Sequence, residues 1–195
     1  MPPFWLGLLL IYFLYYKAGI FPAAMGRLPL GVYPPENGIT GLILIDSILN
    51  GDFQLFWQAL KQIFLPAFTL GFISLAPLTR LVRSSMIEVL NTDYINTHRA
   101  SGIPNALINF KYALKNALLP AITMLGTMFG YMLGGVVLIE KVFSWPGVGL
   151  YAVDSIQLMD YAAVQGFVML SAVFYVTIFL IVDLLYFMLD PRIKY

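Results

Sequence analysis

The sequence predicts an all-helical protein that crosses a membrane about four times. Three observations carry this. Of its 195 residues, 60% are hydrophobic and 11% charged, with a mean hydropathy of +0.83. Soluble domains carry about 25% charged residues, and a water-soluble core of this size cannot absorb so much apolar surface. The apolar residues also gather in runs long enough for helices, and the one long polar stretch, residues 91–120, lies between two of them. The net charge of +1 argues against nucleic acid as a partner. Cysteine is absent and there is one histidine, which excludes disulfides, thiol nucleophiles, Cys-based zinc sites and multi-histidine metal sites. The first residues show neither the basic region nor the small-residue cleavage site of a signal peptide.

The first apolar run, residues 2–16, falls short of the roughly 20 residues a spanning helix needs, and no basic residue precedes it. A short, unanchored opening span suggests that further sequence lies upstream. Residues 17–62 are mixed and rich in Pro and Gly. Within them, 39–49 reads as an interfacial helix with Asp46 facing water, and 53–60 as a helical lead-in. The second span is expected at 63–82, with Pro66 in its first turn and Pro77 deep enough to kink it. The third is expected at 117–139, again with a first-turn proline, Pro120. Residues 140–165 read as a loop turning at Trp145-Pro146-Gly147-Val148-Gly149, with Phe143, Trp145 and Tyr151 as interfacial anchors. The fourth span is 166–188, stopped by Asp190-Pro191-Arg192. Phe174, Tyr175 and Phe179 on it read as lipid-facing or packing residues.

Orientation follows from the basic residues. Arg83, Arg99, Lys111 and Lys115 fall in the segment 83–116, with Arg80 at its edge and Arg192 and Lys194 in the tail. The opposite side has Lys17, Arg27, Lys61 and Lys141 spread over many more residues. The central loop 83–116 and the C-terminus are therefore expected in the cytoplasm, and the loops 17–62 and 140–165 outside.

Within the central loop, Ser85-Met86-Ile87-Glu88 fits a capping box, which predicts a helix start there. Asn91 or Thr92 is placed to cap a second short helix over 93–100. Asp93 stands at its positive end and His98 and Arg99 at its negative end, as the macrodipole favours. Gly102 is the expected terminator, and Pro104 restarts a third helix. Helices under about 12 residues are marginal in water, so this one needs a partner surface, with Tyr94 and Ile95 as its apolar contacts. The third helix is amphipathic: Leu107, Phe110, Leu114 and Leu118 repeat on one side, and Asn105, Asn109, Lys111, Lys115 and Asn116 cover the other. Such a helix should lie at the membrane surface. On periodicity alone, an ordinary cytoplasmic loop with solvated charges explains the pattern more simply.

Two blocks of this loop carry a family resemblance: Asp93-Tyr94-Ile95-Asn96-Thr97-His98-Arg99-Ala100-Ser101-Gly102, and Ala113-Leu114-Lys115-Asn116-Ala117-Leu118-Leu119-Pro120. They resemble the cytoplasmic loop of binding-protein-dependent ABC importer permeases, and more narrowly the dipeptide/oligopeptide/nickel branch. The similarity extends to Phe4-Trp5-Leu6-Gly7, to Val142-Phe143-Ser144-Trp145-Pro146-Gly147, and to Leu184-Leu185-Tyr186 with Asp190-Pro191-Arg192. It covers essentially the whole chain.

The resemblance implies a coupling helix that sits in a cleft of a separate ATP-binding subunit and passes its motion to the pore. Asp93, Tyr94, Ile95, Thr97, His98, Arg99, Ala100 and Gly102 are the residues it assigns to ATPase coupling. The family signature has Glu-Ala-Ala before its glycine; here Asn96, Thr97 and His98 stand there, and Lys115 replaces a later signature proline. His98 gives a route to pH-sensitive coupling, although a tolerated exposed substitution is the simpler account. The implied partners are ATP-binding subunits, a second permease subunit, an extracytoplasmic solute-binding protein and membrane lipid. Family members reach the Phe4-Trp5 block only after an additional span, an outer segment and another span, which sharpens the expectation of sequence upstream.

Gly126, Gly130 and Gly134 are four apart and form a glycine face on the third span. Such faces let helix backbones approach closely; packing within the chain is the simpler use, and lining a pore the functional one. Asp183 lies within the fourth span, where a carboxylate is costly. A structural ion pair with Arg80 or Arg83 is the simpler reading, and a proton relay the other. No GxxxxGK[ST] loop, nucleophile–base arrangement or metal-ligand spacing occurs, so neither ATPase activity nor a cofactor is expected. Together these features point to a transport subunit for short peptides in the cytoplasmic membrane, with 1–195 as one permease domain. Its rivals are a proton-coupled secondary transporter using Asp183, and a non-transporting fragment or assembly subunit.

Overall fold

The computed structural model describes residues 2–35 and 38–189; within its helices, the side chains of 133–135 and 189 fall outside that description. Expectations for Gly134, Asp190-Pro191-Arg192 and Lys194 therefore concern residues outside the described set. Among the described residues all regular structure is helical. α1 (Pro3–Leu10) continues as π-helical turns over Ile11–Lys17, and α2 is Ile43–Leu49. α3 runs unbroken over Phe53–Leu90, followed by α4 (Asp93–Ala100) and the single turn α5 (Asn105–Leu107). Further π-helical turns, Ile108–Ala113, lead into α6 (Leu114–Gly135). α7 (Val137–Val142), α8 (Val148–Gln157) and α9 (Tyr161–Leu189) complete the chain.

Several sequence expectations change here. α3 begins at Phe53, where the helical lead-in is expected, and runs without a break into the second span; Asp52 caps it, its carboxylate accepting the Leu55 N–H at 2.9 Å. α9 likewise begins at Tyr161, where Asp160 accepts the Ala163 N–H at 3.1 Å. Pro66 and Pro120 therefore lie inside α3 and α6, not in first turns. Ser85 is no cap, since it is buried within continuous α3. The stretch 140–165 is not a plain loop but holds the end of α7, all of α8 and the start of α9.

Two helices, Phe53–Leu90 and Tyr161–Met188, are long and apolar enough to cross a membrane. At 1.5 Å per residue α3 is roughly 57 Å long, well beyond a hydrocarbon core of about 30 Å. The apolar helix Pro3–Lys17 is shorter than a span, and α6 stops at Gly135, before the predicted limit at 139.

The chain divides into two compact units, Met1–Ile73 with Gly134–Phe167, and Ser74–Leu133 with Val168–Tyr195. The first is built on Leu65, Ile139 and Phe143, against which Leu10, Leu14, Phe21 and Leu70 pack. Phe143 is thus a core residue and not an interfacial anchor; Tyr151 is exposed and Trp145 half-buried. Two buried carboxylates fix the irregular parts of this unit. Asp46, expected to face water, is 2% exposed. It accepts the Thr40 N–H (2.9 Å), the Thr40 hydroxyl (2.8 Å) and the Gly41 N–H (2.9 Å), so the turn before α2 wraps around it. The Thr40 N–H above all holds its carboxyl below the ordinary carboxylate range, with burial opposing. Glu140, also buried, reaches from α7 to the start of α8 and accepts the Leu150 N–H at 2.6 Å. It lies directly over Gly147, where a Cβ would collide with its carboxylate. The glycines of the Pro-Gly-Val-Gly segment thus make room for a carboxylate at a helix N-terminus, where the macrodipole favours it.

In the second unit, α9 packs on the glycines of α6. A Cβ on Gly126 would stand 2.6 Å from Val182, and one on Gly130 2.5 Å from the Tyr175 ring. The Tyr186 hydroxyl donates to the Leu119 carbonyl at 2.8 Å and lies against the Thr123 hydroxyl. Asp183 is exposed on α9, and among the described residues it forms no ion pair with Arg80 or Arg83.

Replacing Gly130 with alanine should lower the melting temperature of the purified protein, since overpacking costs about 1–3 kcal/mol; adding Tyr175→Ala in the same chain should restore most of it. A melting temperature indifferent to Gly130→Ala would contradict this packing. For Asp46, a lowered folded pKa means that its stabilisation is complete above the ordinary value of about 3.9 and is lost as pH falls through the folded one. Amide exchange at Thr40 and Gly41 should show protection that is steady from neutral pH down to mild acid and collapses below it. Asp46→Ala should leave both amides unprotected at every pH.

Candidate functional site

The polar stretch between α3 and α6 folds as a short helix on a seat made by its own neighbours. α3 ends at Leu90, and Thr92 takes the extended N-cap conformation, φ −78° and ψ 154°. Its hydroxyl does not cap α4, however, but donates back to the Val89 carbonyl. The helix then runs over Asp93–Ala100, with Asp93 in its first turn and His98 and Arg99 in its last, as the charge pattern predicts.

It ends in a Schellman turn. Gly102 adopts φ +75°, the left-handed region that side chains with a Cβ disfavour. The Gly102 N–H bonds the Arg99 carbonyl at 3.0 Å and the Ile103 N–H bonds the His98 carbonyl at 3.2 Å. That reversal turns Ile103 back onto the helix, where it joins the core around Ile95.

Ile95 is 0% exposed. It packs with Ile108 and Ala113, ringed by Met86, Val89, Leu90, Ile103 and Tyr112. Burying one such side chain stabilises by roughly 1.5–3 kcal/mol, enough to hold a two-turn helix in place. The partner surface that α4 requires is therefore supplied by the end of α3 and by the π-helical turns, and Ile95 is turned away from any external partner.

A second row of residues, beside the predicted apolar face, packs inward. Leu107 and Phe110 are exposed, Phe110 at 77%, whereas Ile108, Ala113, Ala117 and Ala121 are buried. The five-residue step from Ile108 to Ala113 followed by four-residue steps is what a π-helical turn inserted before an α-helix produces.

His98 is half-buried and not simply exposed. Its ring lies 4.4 Å from that of Tyr112 and 6.2 Å, edge-on, from that of Tyr94. The Tyr94 hydroxyl in turn accepts the Asn116 side-chain N–H at 2.8 Å. Tyr112, which the sequence did not single out, and Asn116, placed by it on the polar side of the third helix, thus clamp the outer side of α4. What remains on the surface is a compact, mostly polar face: Asp93, part of Tyr94, Asn96, Thr97, Arg99, Ala100, Ser101 and Gly102. Thr97 and Ser101 are tied down by bonds to Asp93 and Thr97 carbonyls, and Arg99 reaches Asn96. Nothing in this face is arranged as nucleophile and base; it is a compact knob held on its seat. Gly126, Gly130 and Asp183 do not converge with it.

Comparison with known proteins follows the same lines. The family model described as binding-protein-dependent transport system inner membrane component matches residues 1–195. The chain is 47% identical over 192 residues to the Probable D,D-dipeptide transport system permease protein DdpB of Escherichia coli (strain K12), covering 98% of this chain and 56% of that protein. It is 43% identical over 199 residues to the dipeptide transport system permease protein DppB of Alkalihalophilus pseudofirmus, covering 100% and 58%. Against DppB of Escherichia coli (strain K12) it is 41% identical over 196 residues, covering 100% and 58%. The chain thus spans somewhat over half the length of these relatives. With the family model matched from end to end, it belongs to the binding-protein-dependent transport system inner membrane component family.

Proposed function

We propose that the chain acts as a membrane permease subunit of an ABC importer for short peptides, moving them across the cytoplasmic membrane by alternating access. The observation that carries this reading is the rigid knob formed by α4 in a chain of this family. A two-turn helix clamped on one side and exposed on the other suits a body that is pushed. Its seat joins it to the ends of two long helices, α3 and α6.

In this reading an ATP-binding subunit receives Asp93, Tyr94, Thr97, His98, Arg99, Ala100 and Gly102. Ile95 acts behind them by anchoring the knob. The stroke passes through Ile95 and Ile108 into α3 and α6. Four spans, near residues 2–16, 63–82, 117–139 and 166–188, make one permease domain with the loop 83–116 and the C-terminus in the cytoplasm. A second permease subunit completes the pore, and an extracytoplasmic solute-binding protein delivers the peptide. The relatives whose names specify dipeptide transport support the substrate class, and the chain itself is a transport component whose energy comes from the partner ATPase.

Reconstitution with the candidate ATPase and binding protein should give dipeptide uptake that requires ATP. Uptake driven by a proton gradient and indifferent to ATP would replace this reading with a secondary transporter, and no loss of uptake on deleting the gene would reject transport altogether. Gly102→Val forces a β-branched residue into the left-handed region, at a cost of about 1–2 kcal/mol, with open space around the position. It should weaken co-purification of the ATPase and leave membrane insertion intact; undiminished co-purification would count against α4 as the docking element.

A further inference from the structure

Glu140 leaves a question that its role at α8 does not answer. Glu140 is 7% exposed, and the one hydrogen bond it accepts goes to Oε2; among the described residues Oε1 accepts none, is not sealed from the cavity, and no cation pairs with the carboxylate. A buried carboxylate with so little compensation is costly unless a cation meets it. The surroundings supply room for one. Glu140 lines a cavity of about 520 Å³ with Leu42, Ile45, Ile63 and Val148 as apolar walls, inside the size range of roughly 300–1,000 Å³ typical of small-molecule sites. A second cavity, of about 210 Å³, continues along α3 past Pro66 and shares Ile63, Glu140 and Trp145 with the first. Glu140 thus stands at the junction of the two.

Among the described residues, the first cavity holds one other charged group. Arg27 lines it and is exposed; its Nη2 donates to the Pro146 carbonyl at 2.7 Å, which fixes the guanidinium beside the opening. Among the described residues Arg27 and Glu140 do not pair with each other or with another charged group, so the cavity offers a cation and an anion on either side of the Pro146–Gly147 backbone, beside its apolar wall. That combination is complementary to a zwitterion with an apolar body.

The geometry points to a subsite for the termini of a short peptide: the Glu140 carboxylate takes the α-ammonium, Arg27 the α-carboxylate, and the apolar wall the side chains. This inference rests on the proposed function and deepens it, because it gives the permease its own contact with cargo. A free amino terminus is recognised by charge and burial together, so an acetylated one, lacking the charge and carrying extra bulk, is refused.

The chain contains no cysteine, so Val148→Cys places its only thiol on the cavity wall. The test uses the full-length protein with its partner subunits in membrane vesicles, without the binding protein, and follows alkylation of that thiol by N-ethylmaleimide. Millimolar alanyl-alanine should slow alkylation severalfold, N-acetyl-alanyl-alanine should not, and Glu140→Gln should abolish the protection. Glutamine keeps an acceptor for the Leu150 N–H; should that variant nonetheless fold poorly, the free-versus-acetylated comparison in the otherwise unaltered cavity decides alone. Arg27→Gln should weaken protection by alanyl-alanine. Equal protection by the acetylated peptide, or no protection at all, overturns the subsite. ATP-driven uptake without protection would reject the subsite and leave the importer standing. Protection in a protein that shows no ATP-driven uptake would keep the subsite and reject the importer.

Discussion

Two turns of helix do not hold themselves in water, and the region around α4 is arranged to make up that deficit. The burial of Ile95 is the central contact. It requires Ile108 and Ala113 to face the helix, which in turn requires the π-helical turns that bring them onto one side. It requires the Schellman turn at Gly102, which folds Ile103 into the same cluster. The aromatic clamp of Tyr94, His98 and Tyr112 then closes the outer edge. Each of these interactions is modest, but they share one core, so displacing α4 disturbs the end of α3 and the approach to α6 together. A loosely tethered loop can shift alone; α4 shares its core with the ends of two long helices.

The first unit meets a similar problem with charge in place of apolar contact. Its irregular segments are held by carboxylates that accept backbone N–H groups: Asp46 before α2, Glu140 at α8. Backbone donors suit this role because they are fixed by the fold and need no long side chain to be immobilised. The two carboxylates differ in how far they are satisfied. Asp46 accepts three bonds and is complete as a structural element, whereas Glu140 is left with an oxygen toward a cavity. That difference separates an acid that only shapes its loop from one with capacity to bind.

The sequence made the bounds of α4 legible, because its charge pattern, its terminal glycine and the proline beyond are all local signals. The helical class was legible from composition. The start of α3 was legible as the lead-in at 53–60, and that of α9 was within reach: Asp52 and Asp160 each stand three residues before the amide they cap, but a span limit drawn to bilayer thickness passed over the second. Other features were not legible in principle. A pattern shows that Ile95 needs burial, not whether its own chain or another provides it. The step from Ile108 to Ala113 breaks the spacing on which helical faces are read, so the row that packs on α4 escaped notice beside the one through Leu107 and Phe110. Asp46 and Glu140 were missed as buried groups because backbone amides leave no mark in a sequence.

Packing along the chain changes character in a way that fits its family. Where α4 sits, the buried residues include Ile95 and Ile108, large side chains of the kind that water drives together. Along α6 and α9 the close contacts fall on Ala117, Ala121, Gly126 and Gly130, while Val168, Phe174, Val176 and Leu184 point outward. Lipid tails are as apolar as leucine, so nothing expels large side chains from them, and helices there gain by bringing backbones close over small residues. One unit thus uses a large-residue core around a surface helix and a small-residue contact between long apolar helices. The knob is assembled by the hydrophobic effect, and the long helices beyond it are joined by shape.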